Sequence, residues 1–208
     1  MSFAKHISMD KKRLSKMTRQ LKIYYRLTAS RIIGPDDIMR EFDITRRMLQ
    51  RDLKDIKDSG LLNVKLDRAN NNYIRTDDAA FDETAPDRRR SHLLRLYRIG
   101  TLIRAFPPVS IGTLHMYETL LEEYEDALRD SINDPGQYPP EELPDRPERP
   151  GLPDLKARYY ELFPDSNERT RQRDFEELNR AGFKIYYERK YRAFLFEYDE
   201  YTGELMDI

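Results

Sequence analysis

The sequence has no cysteine, no tryptophan and only three histidines among its 208 residues. Without cysteine the chain cannot form a disulfide, a thiolate zinc site or a cysteine nucleophile. His6, His92 and His115 lie far apart and share no motif with a carboxylate, so no metal site is predicted. No apolar run approaches the roughly 18 residues of a membrane span, and the first residues contain no apolar signal-peptide core. We therefore expect a cytoplasmic protein with no membrane contact.

Motifs of common enzymes are missing too. The sequence contains no GxxxxGK[ST] loop that would cradle phosphates, which argues against an NTPase. The acidic residues at 122–126 would point in several directions on a helix, so a solvated face is the simpler interpretation than a cation site. Tyrosine pairs at 24–25, 159–160 and 186–187 fall in helix or strand patterns and indicate packing rather than catalysis. We predict a protein that is not an enzyme and uses no cofactor.

Positive charge is concentrated in the first part of the chain. Residues 1–80 contain 18 Lys+Arg and 11 Asp+Glu, whereas residues 81–208 contain 19 and 27. The net charges of +7 and −8 combine to the overall −1. A basic segment of this kind favours contact with a polyanion, and a solvated basic surface is the alternative.

Residues 10–78 predict three helices followed by a β-hairpin. Apolar positions at helical spacing indicate a helix over 10–29, and Pro35 with two following aspartates suits the start of a second. Thr45 can cap a third helix that Gly60 ends. The segments 61–68 and 73–78 flank an Asn-rich turn and form the hairpin. This order predicts a winged helix-turn-helix domain, to which we assign residues 1–80.

The second half repeats part of this pattern after a different connection. Helices are predicted at 91–106 and 113–130, and seven prolines between Pro135 and Pro153 predict an extended segment. Two further helices and a hairpin follow from residue 155. We assign residues 81–153 to connecting helices and a Pro-rich linker, and residues 154–208 to a second winged helix-turn-helix domain that packs with helix 91–106.

An internal repeat supports this division. Residues 50–77 and 172–199 align without a gap at an offset of 122, and both contain Gln-Arg-Asp and a helix-ending glycine. The hairpin lengths agree in the alignment. The predicted fold class is therefore mainly α with small β-hairpin wings, built from two winged helix-turn-helix domains.

The stretch TRRMLQRDLKDIKDSGLL, residues 45–62, resembles the third helix of the DeoR-like and WYL-type bacterial transcriptional regulators. The likeness covers residues 10–78 well and residues 154–199 more weakly. It implies a DNA-binding winged helix-turn-helix domain, here in tandem. Two departures stand out. The sequence shows no room for the ligand-sensing domain of these regulators, and Arg171 takes the position of the apolar Leu49, which indicates a rotated, shifted or repurposed second helix.

The third helix carries the DNA-binding prediction. Leu49, Leu53 and Ile56 form an apolar seam, while the basic residues and Gln50 lie off it. Arg can bond guanine and Gln adenine in the major groove, and Lys54 suits a phosphate. Asp52 could orient a neighbouring arginine; alternatively, Asp52, Asp55 and Asp58 neutralise the arginines of a merely solvated helix. The predicted contacts in the first domain are Thr45, Arg46, Arg47, Met48, Gln50, Arg51, Lys54, Lys65, Arg68, Asn70, Asn71 and Asn72.

The second domain is a weaker candidate for DNA contact. Glu168 replaces Arg46, and residues 154–208 contain ten Lys+Arg against thirteen Asp+Glu. Its predicted contacts are Arg169, Thr170, Gln172, Arg173, Lys190 and Arg192. A protein-interaction or dimerisation surface is the alternative. The apolar stripe of helix 113–130 could likewise pair with a second chain, or pack on helix 91–106.

These observations predict a sequence-specific transcriptional regulator that binds double-stranded DNA. Helix 113–130 and the second domain are the candidate contacts of a homodimer. A tandem winged-helix replication-initiation or DNA-organising protein is the first alternative. A winged-helix protein-interaction scaffold is the second.

Overall fold

A computed structural model of the chain describes residues 14–30, 32–76, 79–107, 109–134 and 143–198. Parts of the predicted elements at 10–13, 77–78, 135–142 and 199–201 lie outside these residues. The described chain is mainly helical with two small antiparallel hairpins, which confirms the predicted coarse class. It divides into two compact units, Met1–Gly100 and Thr101–Ile208.

Three helices open the first unit: α1 (Lys16–Ala29), α2 (Pro35–Phe42) and α3 (Arg46–Asp58). The Ser15 hydroxyl caps α1, Pro35 begins α2, and Thr45 caps α3, as helix-start preferences predict. Asp43 takes a left-handed conformation that ends α2 and turns the chain into α3. The apolar sides of the three helices meet in a core whose fully buried members include Leu21, Tyr24, Leu27, Ile38, Leu49 and Ile56.

The first hairpin joins β1 (Asn63–Asp67) to β2 (Asn72–Thr76) in antiparallel register. Ile33, between α1 and α2, forms an antiparallel bridge to Tyr73, whose N–H donates to the Ile33 carbonyl at 2.9 Å. This bridge ties the hairpin to the helices on the side of β2 away from β1. The hairpin is therefore held in a fixed place beside α2.

A long helix, α4 (Asp87–Ala105), follows the hairpin. Its residues up to Gly100 belong to the first unit, where a Cβ at Gly100 would lie only 2.4 Å from Leu61 Cδ1. Beyond its end, Phe106 packs edge-on against Phe175 and Phe196, with ring centroids 5.7 and 6.1 Å away. The helix predicted at 91–106 thus contributes mostly to the first unit, and only its last turn falls in the second.

The second unit contains α5 (Ile111–Asn133), α6 (Leu155–Leu162) and α7 (Glu168–Arg180). Its hairpin pairs β4 (Ile185–Glu188) with β5 (Ala193–Tyr198), and β3 (Val109–Ser110) adds in parallel to β5. The sequence patterns did not reveal β3. Residues 143–154, which contain four of the seven prolines, have no regular secondary structure, in agreement with the predicted extended segment.

The repeat is preserved in the helices and changes in the hairpins. Helices α3 and α7 both have 13 residues and begin 122 residues apart, and each is followed by a glycine with positive φ, 80° at Gly60 and 87° at Gly182. The left-handed turn residues Asn71 and Arg192, however, are 121 residues apart. Strand β4 is one residue shorter than β1. The predicted gapless alignment therefore fails in the hairpin: the turn is shifted by one residue, and the partner of Ile185 is Phe196, 120 residues after Thr76, the partner of Asn63.

Candidate nucleic-acid interface

The solvent-exposed side of α3 is uniformly basic or neutral. Five of its six exposed residues are cations, the sixth is Gln50, and none is acidic. Successive residues of a helix are 100° apart, which places all six on one side of α3. We call this set the basic face: Arg46, Arg47, Gln50, Arg51, Lys54 and Lys57. It contains the five outward residues that the sequence predicted on this helix.

Two of the three acids of α3, Asp52 and Asp55, point away from the basic face, whereas Asp58 lies at its edge and pairs with Lys54. Asp52 is 1% exposed and accepts two hydrogen bonds from the Arg19 guanidinium of α1, at 2.6 and 3.2 Å. Gln20 Nε2 donates to Asp52 at 3.1 Å and to Asp55 at 3.0 Å. Asp52 is therefore satisfied by α1, and the prediction that it orients a neighbouring arginine of α3 does not match this geometry.

Asp55 and Asp58 also pair with residues other than the arginines of the basic face. Lys16 of α1 lies 2.6 Å from Asp55, and Arg89 of α4 contacts both Asp55 and Asp58. Burial alone would raise the pKa of the Asp55 carboxyl, but hydrogen bonds from Lys16, Gln20 and Arg89 outweigh it and hold that pKa below its usual value. These partners keep Asp55 ionised and turned inward.

Arg46, Arg47 and Arg51 form no ion pair with any residue that the structure describes. Of the cations on the basic face, Lys54 is paired, with Asp58 Oδ2 at 2.6 Å. The alternative in which Asp52, Asp55 and Asp58 neutralise the arginines of α3 therefore disagrees with the geometry. The positive charge of the three arginines faces solvent.

The apolar seam of α3 is narrower than predicted. Leu49 and Ile56 are fully buried, but Leu53 is only partly buried. The inward side of α3 also carries the buried carboxylate of Asp52, whereas the apolar pattern predicts only aliphatic side chains there. The seam prediction is therefore right for two of its three residues.

The N-terminal end of α3 is open to an anion. Thr45 Oγ1 accepts the Met48 N–H at 3.3 Å, and no acid lies in the first turn. The helix dipole and the free N–H groups of a first turn favour a phosphate. Thr45 is exposed and Met48 half-buried, so of these two predicted contacts Thr45 is the more accessible.

The first hairpin offers fewer free groups than the sequence suggested. Asn70 Nδ2 donates to Asp67 at 2.7 Å, and Asn71 Nδ2 donates to Asp36 at 3.1 Å. Asn72 is half-buried, with its Oδ1 3.7 Å from the position of a Cβ on Gly34. Asn70 thus stabilises the turn and Asn71 links it to α2. The cations among the predicted hairpin contacts, Lys65 and Arg68, are exposed to solvent.

The corresponding side of α7 is mixed in charge. Its exposed residues comprise three arginines, two glutamates, Gln172 and Asn179. Glu168 and Glu176 take the places of Arg46 and Lys54, and Gln172 Nε2 donates to Glu168 at 3.3 Å. Arg169 and Arg173 are exposed, and Thr170 is half-buried beside the Asn167 cap. Helices α3 and α7 thus occupy equivalent positions in the repeat, but their exposed sides differ in charge.

The largest departure from the repeat is Arg171, which stands where the first unit has Leu49. Its side chain is 4% exposed, and its guanidinium lies between the rings of Phe175 and Phe194, at 4.9 and 4.8 Å. Glu168 pairs with it from the first turn, and this bond, with one from Tyr160, lowers the pKa of Glu168 to about 2. Helix α7 is thus not rotated: the arginine occupies the inward position of Leu49, and Glu168 is held ionised as its partner at the helix start.

Helix α5 packs against one side of the second hairpin. Lys190 Nζ and the Tyr191 hydroxyl both lie 2.9 Å from Glu118 Oε1, and Tyr117 packs on the Tyr191 ring. Burial and the bond to Glu118 raise the pKa of Tyr191 to about 12. Leu114 joins Tyr191 and Leu195 in a small apolar cluster. Of the two predicted contacts here, Lys190 is paired within the protein and Arg192 is exposed.

His92 makes the stability of the first unit dependent on pH. Its Nε2 lies 2.9 Å from Gln20 Oε1, and burial together with Lys16 and Arg95 lowers its pKa below 6.5 despite nearby Asp55 and Asp52. The unfolded state binds this proton more readily, so stability should fall as pH drops below about 6.5. The slope cannot exceed about 1.4 kcal/mol per pH unit. Urea unfolding at pH 7.5 and 5.5 measures it, and His92→Gln should flatten it; an unchanged slope in that variant would contradict the assignment.

No protein-family model matches the sequence, and no significant match is found among curated proteins or solved structures. The resemblance to DeoR-like and WYL-type regulators therefore stays a prediction. In the part of the chain that the structure describes, none of the helices has both the length and the apolar character of a membrane span. Among the same residues, no three His, Asp or Glu side chains come together in a way that could hold a metal ion.

Proposed function

We propose that the first unit is a winged helix-turn-helix domain that binds double-stranded DNA, with α3 in the major groove, and that the protein is a sequence-specific transcriptional regulator. The order of α1, α2, α3 and the β1–β2 hairpin supports this, as does the bridge from Ile33 to Tyr73. In such a domain the third helix contacts base edges with its N-terminal half.

The single observation that carries the proposal is the segregation of charge on α3. Asp52 and Asp55 are bound on the inner side by residues of α1 and α4, and Asp58 is shared by Arg89 and Lys54. Arg46, Arg47 and Arg51 face solvent without an ion pair to any described acid. The ion pairs to α1 and α4 stabilise the fold and explain the inward acids, but they do not require the outward side of α3 to carry arginines without acidic partners. DNA binding is favoured by this separation of charge, because phosphates near the outer side of α3 then meet positively charged side chains.

The residues of the basic face suit distinct contacts. Arg47 and Arg51, one turn apart, can donate two hydrogen bonds to guanine O6 and N7, and Gln50 can bond adenine N6 and N7. Arg46, at the helix start, and Lys54 and Lys57, towards its end, suit phosphates. The exposed Arg68 in the hairpin turn would meet the backbone or the minor groove.

The second unit is proposed to contribute differently. Glu168 and Glu176 in the places of Arg46 and Lys54, and the pairing of Lys190 with Glu118 of α5, disfavour an approach to phosphates. A protein contact is favoured by the exposed apolar side chains of α5, Met116 and Leu120, which are 59% and 45% exposed. Pairing of α5 with its own copy is disfavoured, since its exposed side is strongly acidic. A tandem initiation or DNA-organising protein in which both units bind DNA is the alternative function.

A salt titration tests whether the protein binds DNA through several phosphates. With four or five such contacts, the logarithm of the association constant should fall with the logarithm of salt concentration at a slope of about −3 to −5. Fluorescence anisotropy with a mixed-sequence duplex between 50 and 300 mM salt measures this. An affinity that does not respond to salt, or the absence of binding at 50 mM, would contradict the proposal and favour the protein-interaction scaffold.

A further inference from the structure

We propose that Arg89 is a positioning residue for DNA binding: it neutralises the acids at the end of α3 and so leaves Lys54 free to contact a phosphate. The inference rests on the proposed function of α3. Arg89 belongs to α4, outside the helices and hairpin that the sequence assigned to DNA contact. It is about one-third exposed, at 31% of its side chain.

The geometry gives Arg89 three carboxylate partners. Its Nη2 donates to Asp55 Oδ1 at 3.2 Å and to Asp58 Oδ2, and its Nη1 donates to Asp82 Oδ2 at 3.1 Å. Asp82 also accepts from the Thr84 hydroxyl at 2.6 Å and from the Thr84 N–H at 3.1 Å. Asp82 keeps its charge, so Arg89 is shared between this carboxylate and the two of α3. Asp55 also pairs with Lys16, so Asp58 is the acid of α3 that depends most on Arg89.

Backbone contacts also hold the end of α3 against the segment that precedes α4. The Asp82 N–H donates to the Asp58 carbonyl at 2.8 Å, and Ser59 forms an antiparallel bridge with Phe81. The end of α3 is thereby bound to the segment that leads into α4. Arg89 is held against Asp58 by this arrangement as well as by its own charge.

Lys54 and Arg89 share Asp58. Lys54 Nζ lies 2.6 Å from Asp58 Oδ2, the same oxygen that Arg89 contacts, and the lysine side chain is 66% exposed whereas that of Asp58 is 13% exposed. With Arg89 in place, Lys54 can leave Asp58 for a DNA phosphate without stranding an unpaired carboxylate. Without Arg89, Asp58 would depend on Lys54 alone and would retain it, so the basic face would lose one phosphate contact.

Arg89→Ala should therefore weaken DNA binding by about tenfold and reduce the magnitude of the salt slope by about one. A second change, Asp58→Asn, should restore most of the affinity in the Arg89→Ala background, because it removes the acid that retains Lys54. Arg89→Lys, which keeps the charge, should lose less than Arg89→Ala. Thermal unfolding followed by circular dichroism identifies any variant that is unfolded at the temperature of the binding assay.

The outcomes separate this inference from the proposed function. If Arg47→Ala with Arg51→Ala abolishes binding but Arg89→Ala leaves affinity and salt slope unchanged, the role of Arg89 is overturned and the DNA-binding helix stands. If Arg89→Ala weakens binding but Asp58→Asn does not rescue it, Arg89 supports the fold rather than the charge of Lys54, which also overturns the inference. A folded Arg89→Ala protein with rescued binding in the double variant supports it.

Discussion

Replacing Arg47 and Arg51 together with alanine is expected to weaken DNA binding by at least about thirtyfold, since each contact to a base or phosphate is worth about 1–3 kcal/mol. Both side chains are exposed and unpaired within the described chain, so their removal should cost little stability. Fluorescence anisotropy at fixed salt measures the affinity. Thermal unfolding of the same variant should remain within a few degrees of the parent protein.

The repeat provides a matched control for this variant. Arg169 and Arg173 hold the equivalent positions on α7, are equally exposed, and flank a glutamine in the same way. Arg169→Ala with Arg173→Ala removes the same charge from the same kind of helix. We expect it to weaken DNA binding by less than about threefold; an equal loss in both double variants would mean that only total charge matters, or that both units bind DNA.

Arg19→Ala is expected to destabilise the first unit by about 3–5 kcal/mol, because it leaves Asp52 buried without its cation. Asp52 is 1% exposed and receives both of its charged hydrogen bonds from Arg19. Urea unfolding followed by circular dichroism measures the free energy of unfolding. Since a domain is stable by only about 5–15 kcal/mol, the variant should unfold at a much lower urea concentration.

A second substitution tests whether the missing charge causes this loss. In the double variant Arg19→Met with Asp52→Leu the ion pair is replaced by apolar groups, and most of the lost stability should return. A double variant no more stable than Arg19→Ala would show instead that the packing of the two side chains matters more than their charges.

Local signals predicted the helices of both units well. Thr45, Gly60, Asn167 and Gly182 mark the ends of α3 and α7, because a capping side chain and a residue with positive φ act within a few positions. The outward position of Arg47, Gln50 and Arg51 followed from the spacing of Leu49 and Ile56. These features depend only on neighbours along the chain.

Features that depend on distant partners escaped prediction. Arg19 lies 33 residues before Asp52, and Arg89 lies 31 residues after Asp58, so no local pattern could reveal that α1 and α4 neutralise the acids of α3. The inward Arg171 was noticed as an anomaly, but its aromatic partner Phe194 belongs to a strand 23 residues later. The short β3 was missed because two residues carry no periodicity.

A photocrosslink from the middle of α3 tests whether this helix contacts DNA. A photoreactive amino acid replaces Gln50 in one variant and Gln172 in another, which are equivalent and exposed positions of the two helices. With a duplex that the protein binds, the account predicts efficient crosslinking to DNA from position 50 and little from position 172. Crosslinking from position 172 alone, or from neither position while the duplex remains bound, would contradict the assignment of α3 as the DNA-binding helix.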